Sequence, residues 1–250
     1  MNPEILGTLV NRLSPIPIYA ALALVLWAAS KKLKIERLDL QYSNKSLVYV
    51  LAALVYSSIA TAIAISLLSG RELFLTPFTI GFTAIEYFSV MLLPAALVLR
   101  LEKLPLKSVG IARQNLKQAF LISALLIFLF IPIVNYKRIP TLASDYALLS
   151  LTKFLIVAAG EEIYFRGFVQ LRCEALFGAY KGMAIATLLF GLYHLPIIAL
   201  YEGTIPFMLV MNLLTVLIFG AFLAYLMHKT QNVLSPALVH AFVNWYPRLY

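Results

Sequence analysis

Gly160-Glu161-Glu162-Ile163-Tyr164-Phe165-Arg166-Gly167 comes directly after the apolar run Leu148 to Ala159. Two adjacent carboxylates and an arginine at the edge of a membrane-grade run are expensive. A charge at the centre of a spanning helix costs about 2.5–3.5 kcal/mol even on the lower scales. Helical spacing sets Glu162 and Arg166 one turn apart, and an interfacial salt bridge accounts for that pair. Glu161 has no cation four residues away, so its partner must come from another helix. Later histidines in apolar runs are the candidates.

Outward from this stretch, the composition sets the class. The chain has 250 residues, 62% of them hydrophobic and 12% charged, with a mean hydropathy of +0.90. Soluble domains carry about 25% charged residues. The expected fold is therefore all-α, a polytopic membrane helix bundle. A net charge of +9 would suit nucleic acid, but the basic residues sit in short connections between apolar runs, so no nucleic-acid partner is expected. The single cysteine, Cys173, excludes an intramolecular disulfide, has no histidine near it in sequence, and reads as a packing residue.

Eight apolar stretches are candidate spans, at about 14–30, 46–69, 75–99, 118–134, 147–170, 179–200, 205–227 and 232–246. No soluble insertion or internal repeat interrupts them, which predicts one integral-membrane domain over 1–250. The apolar run Ile16 to Ala29 precedes its positive cluster (Lys31, Lys32, Lys34), the reverse of a secretory signal, and reads as a first membrane helix. Alternate connections hold 14 of the 20 Lys and Arg residues, for example Lys31, Lys32, Lys34, Arg37 and Lys45 in the first of them. Arg12, Arg71, Lys137, Arg138 and Arg248 mark the other side, with Lys153 just inside the fifth stretch. The positive-inside rule makes the richer side cytoplasmic and puts both termini outside.

Gly178 is a natural helix stop. Glu161 lies 17 residues before it and His194 lies 16 after, so an antiparallel hairpin brings the two to one height. Arg166, Gln170, Arg172, Glu174 and Lys181 make the hairpin tip polar, and it is expected to project into the cytoplasm with Glu161 one or two turns below the surface. His194 comes after Phe190-Gly191-Leu192-Tyr193, with Pro196 beyond it as a source of a kink. His240 and Asn244, four apart, share one face of the last helix. His228 beside Lys229 reads as interfacial, and Tyr164 and Tyr193 as packing or interfacial aromatics. Glu86 is a further buried carboxylate, read as a structural hydrogen-bonding group or a substrate contact. A lone membrane histidine or asparagine is usually a helix–helix hydrogen bond. A carboxylate, two imidazoles and an amide on three late helices make a stronger joint signal.

Glu161-Glu162-x-x-x-Arg166, Phe190-x-x-x-His194 and His240-x-x-x-Asn244, in that order on separate helices, resemble the CPBP family. That family comprises CAAX prenyl endopeptidases and bacteriocin-processing or Abi-type proteins. The resemblance covers about 147–246, where the catalytic helices would lie. Leu106 to Ile111 is similar to the family's basic connection before the fourth helix. It implies an intramembrane endopeptidase in a cell membrane, cutting near the C-terminus of a membrane-associated, prenylated CAAX-type or otherwise lipidated protein or peptide. The resemblance also implies roles: Glu161 as general base on a water oriented with His194, His240 and Asn244 as the oxyanion site, and Glu162 and Arg166 as braces. The expected mechanism uses no metal and no cofactor, in a polar cavity opening toward the cytoplasm; zinc on His194, His240 and Glu161 is the alternative. A proton-coupled transporter and a non-hydrolytic immunity or scaffold protein are the rival readings.

Overall fold

The computed structural model describes residues 15–38, 40–43, 45–68, 75–134, 145–202 and 206–245. Eight helical rods and no strand occur among them. In chain order they are α1 (Pro15–Lys32), α2 (Ser46–Leu68), α3 (Pro77–Glu102), α4 (Leu116–Val134), α5 (145–177), α6 (Ala179–Glu202), α7 (Pro206–Thr230) and α8 (Leu234–Trp245). The eight expected stretches each become one rod, with ends moved by at most three residues, except that α5 runs on from 170 to 177. Arg12, Arg71, Lys137, Arg138 and Arg248, which mark one side in the charge pattern, lie outside the described residues.

Four rods are long and apolar enough to cross a bilayer by length and composition: Ser46–Leu67, Pro77–Glu102, Ala179–Ala199 and Phe207–Thr230. Their outer faces expose Val55, Ile59, Ile63, Phe88, Leu188 and Val210, which only a lipid solvent tolerates in such number. Helices suit that solvent because every backbone group is paired within the rod. This is an integral membrane protein and a polytopic helical bundle.

Rod α5 is the hub. It packs against α8, α6 and α3, and a short 3-10 turn (Leu106–Val109) lies across it. One core joins Val50 and Leu54 of α2, Met91 of α3, Phe165 and Phe168 of α5, and Phe190 of α6. Another joins Leu22 and Leu26 of α1, Ile122 and Leu126 of α4, Leu223 of α7 and Val239 of α8. Gly178 separates α5 from α6 with φ 81°, a left-handed position that favours glycine, and the two rods fold back as a hairpin.

Two rods contain π-helical stretches: Phe88–Leu92 in α3 and Ile163–Gln170 in α5. Such i→i+5 turns are rare and recur at functional sites. In α3 the cause is visible. Pro94 has no N–H to give the Val90 carbonyl, and the Ser57 hydroxyl of α2 donates to that carbonyl instead at 2.6 Å. Ser57 also sits 3.0 Å from the Tyr164 hydroxyl, so one side chain ties α2, α3 and α5 together.

The hairpin tip departs from expectation. Arg166, Gln170 and Arg172 do not project into water; all three are fully buried. The reason is internal pairing. Arg166 bonds Glu162 at 2.9 Å, Arg172 bonds Glu102 at 2.9 Å, and the Gln170 amide donates to the Ala224 carbonyl at 2.9 Å and to Glu174 at 2.6 Å. Lys181 is exposed, as expected.

Candidate active site

Glu161 is the last residue but one of the α-helical part of α5, and the π-turn begins at Ile163. Successive helical positions point about 100° apart, so Glu161 and Glu162 face different neighbours. Glu162 is fully buried and fully engaged. Its Oε2 accepts from Arg166 Nε at 2.9 Å and its Oε1 from His240 Nδ1 at 2.7 Å. The predicted i,i+4 pair is therefore present, with a second partner from α8 that helical spacing alone does not reveal. The Arg166 guanidinium lies 4.5 Å from the centre of the Phe190 ring, and its two terminal nitrogens have no hydrogen-bond partner among the described residues.

Glu161 is held more loosely. Its Oε2 lies 3.9 Å from His194 Nε2 on α6 and 3.9 Å from His240 Nε2 on α8. The expectation that the histidines are its partners is thus met in direction but not at bonding distance. Among the described residues one hydrogen bond is made to Glu161, from Tyr87 of α3, whose hydroxyl donates to Oε1 at 3.1 Å. Sequence reasoning missed Tyr87, since no spacing rule links α3 to α5. Its adjacency to Glu86, which is half-buried rather than buried, is the only hint in the sequence.

The tautomers are set by the partners. The Phe190 carbonyl, 2.8 Å from His194 Nδ1, can only accept, so that nitrogen carries a proton. The Glu162 carboxylate likewise accepts from His240 Nδ1. Both Nδ1 atoms are therefore anchored, and both Nε2 atoms face the same oxygen of Glu161. Ring contacts fix the imidazole planes: Phe190 lies 4.4 Å from His194 and Phe219 lies edge-on, 5.1 Å from His240.

Asn244 lies one turn past His240 on α8, half-buried and without a hydrogen bond among the described residues. The site thus brings Glu161, Glu162, Arg166, His194 and His240 into one network and leaves the Asn244 amide free beside it. A cavity of about 70 Å³ adjoins Glu161, lined also by Thr61, Glu86, Tyr87 and Tyr193. Glu86 has no hydrogen bond among the described residues, so the structural hydrogen bond expected for it is not found; Lys153 is the charge nearest in effect. Tyr193 and Tyr164 are buried rather than interfacial, with the Tyr193 hydroxyl 2.5 Å from Thr61. His228 is half-buried and 3.1 Å from Glu174, so its polar end is tied to α5. No group of three or more His, Cys, Asp or Glu among the described residues is arranged to hold a metal ion.

Residues 143–246 match the family described as Rce1-like, the type II CAAX prenyl endopeptidases. The match spans α5 to α8 and includes every member of the network except Tyr87. No curated protein and no solved structure matches the chain.

Proposed function

We propose, for a chain that belongs to the CPBP family of CAAX proteases through residues 143–246, a glutamate-driven, metal-free peptide hydrolysis at Glu161. The observation that carries this reading is the pair of 3.9 Å gaps around Glu161 Oε2. Each gap is too wide for a hydrogen bond. Each is wide enough for a water that bonds the carboxylate and an imidazole nitrogen at once. With Nδ1 protonated, a neutral His194 offers a lone pair at Nε2 and accepts a hydrogen bond from one O–H of that water, orienting it, while Glu161 takes the proton of the other O–H. The water oxygen attacks the scissile carbonyl carbon, the C–N bond breaks, and Glu161 returns the proton to the leaving amine.

The negative charge that develops on the carbonyl oxygen needs donors. Asn244 supplies an amide N–H. His240 supplies Nε2–H when its ring carries both protons, and Glu162 is the counter-ion for that form across Nδ1. Arg166 in turn holds Glu162, so the brace and the oxyanion donor form one chain of charges. The substrate in this reading is a membrane-associated protein or peptide with a lipidated, CAAX-type C-terminus, entering a polar cavity from the cytoplasmic side.

The test is cleavage of a prenylated CAAX peptide by purified protein in detergent, wild type beside Glu161→Gln, with and without a chelator. Cleavage that survives chelation and vanishes in Glu161→Gln supports the reading. Reversible loss on chelation would overturn the metal-free mechanism. No cleavage by wild type would count against the substrate class and revive the scaffold and carrier alternatives.

A further inference from the structure

We propose that Tyr87 is the positioning residue of this site, fixing which oxygen of Glu161 is free to work. The inference rests on the reading of Glu161 as the general base. A carboxylate has two equivalent oxygens and a soft terminal torsion, so nothing in Glu161 itself decides which oxygen faces the imidazoles. Tyr87 breaks that equivalence. Its hydroxyl occupies Oε1 at 3.1 Å, and both histidine Nε2 atoms then face Oε2. The arrangement leaves one oxygen held and one oxygen available.

Two local features place the tyrosine. Gly160, immediately before Glu161, lets the ring lie against the α5 backbone. A Cβ there would sit 2.8 Å from Tyr87 Cδ1 and 3.2 Å from its Cβ, closer than real side chains pack. Tyr87 is also the last residue before the π-turn Phe88–Leu92, whose extra residue lets α3 present Tyr87 to the site and still bury Val90 and Met91 in the core below. A glycine on one rod and a helix irregularity on the other converge on a single hydroxyl. Packing alone would need neither, and a phenylalanine would fill the same space.

Two readouts test this, one of which needs no turnover. Reaction of Glu161 with a hydrophobic carbodiimide, followed by mass spectrometry of its peptide, reports access to the carboxylate, with Glu102 as internal reference. Tyr87→Phe frees Oε1 and is expected to speed labelling of Glu161 severalfold while Glu102 stays as in wild type. In the peptidase assay the same variant is expected to lose about ten- to a hundredfold in kcat with KM unchanged, the size of one hydrogen bond to an ionised group. Gly160→Ala should reproduce both changes by displacing the ring, and should add little on top of Tyr87→Phe. Wild-type labelling of Glu161 in Tyr87→Phe overturns the proposal whatever the peptidase assay shows. A wild type that cleaves nothing tells against the protease reading instead, and the labelling arm still decides on Tyr87.

Discussion

Glu102, half-buried, and Glu161, buried, are both carboxylates that meet a basic group from another rod, and they are held in opposite ways. Glu102 of α3 is saturated. Arg172 Nη2 bonds it at 2.9 Å, Ser43 at 3.1 Å, and Ser46 donates to it as well. The Arg172 guanidinium is itself clamped between Phe168 at 4.4 Å and Tyr42 at 4.6 Å. Glu161 has a single hydrogen bond among the described residues and two 3.9 Å gaps. Both lie in regions where unmet charge is costly, so the difference is informative. A saturated carboxylate fastens the fold; one left short of partners is disposed to take a partner that arrives.

The largest expected effect comes from that contrast. Glu161→Gln keeps size and burial but removes the proposed base, and is expected to lower kcat by about 10²–10⁴-fold with unchanged thermal stability. A matching loss of folded protein would break the contrast, because it would make Glu161 a fastener like Glu102. Asn244→Ala comes next, at about 10²–10³-fold in kcat for one lost oxyanion donor. Since Asn244 makes no hydrogen bond among the described residues, its removal should leave the melting temperature in place. An unchanged kcat would remove it from the site.

Arg172→Met inverts the pattern. Leaving the half-buried Glu102 without its cation is expected to cost about 1–3 kcal/mol of stability. Activity per folded molecule should hold. Thermal unfolding in detergent and active-site-normalised kcat separate the two effects. A kcat that falls as far as in Glu161→Gln would merge the clamp with the site.

How much of this is legible in the sequence depends on distance along the chain. The helix count and the Glu162–Arg166 pair come from local periodicity, and the Gly178 turn from one residue's backbone freedom. The approach of Glu161 to His194 is legible from the hairpin spacing, and that to His240 only from the need of Glu161 for a partner on another helix. Tyr87 is not, since its role depends on a π-turn in α3 and a close approach at Gly160, and neither leaves a periodic trace. The tip residues Arg166, Gln170 and Arg172 are misplaced by sequence for a related reason. Polarity suggests water, whereas Glu162, Glu102 and the Ala224 carbonyl each give one of them a partner inside the bundle.

The smallest effect concerns the one residue next to the clamp that has nucleophilic chemistry of its own. Cys173 lies past the expected span 147–170, near the end of α5. It is buried, and burial together with the charge of Glu174 pushes its thiol up from 9.0 to about 11. Between those values the folded chain keeps a proton that the unfolded chain has released, so this group subtracts stability as pH rises above 9. Below that range it contributes nothing that varies with pH. At pH 8 the thiolate is about a hundredfold scarcer in the folded protein than in the unfolded one, and alkylation should be slow until the bundle is opened by denaturant. Cys173→Ala should therefore leave peptidase activity at the wild-type level and flatten the loss of stability between pH 9 and 11. Rapid alkylation of the folded protein, with activity lost in step, would give the thiol a part in the reaction and end the assignment of chemistry to Glu161 alone.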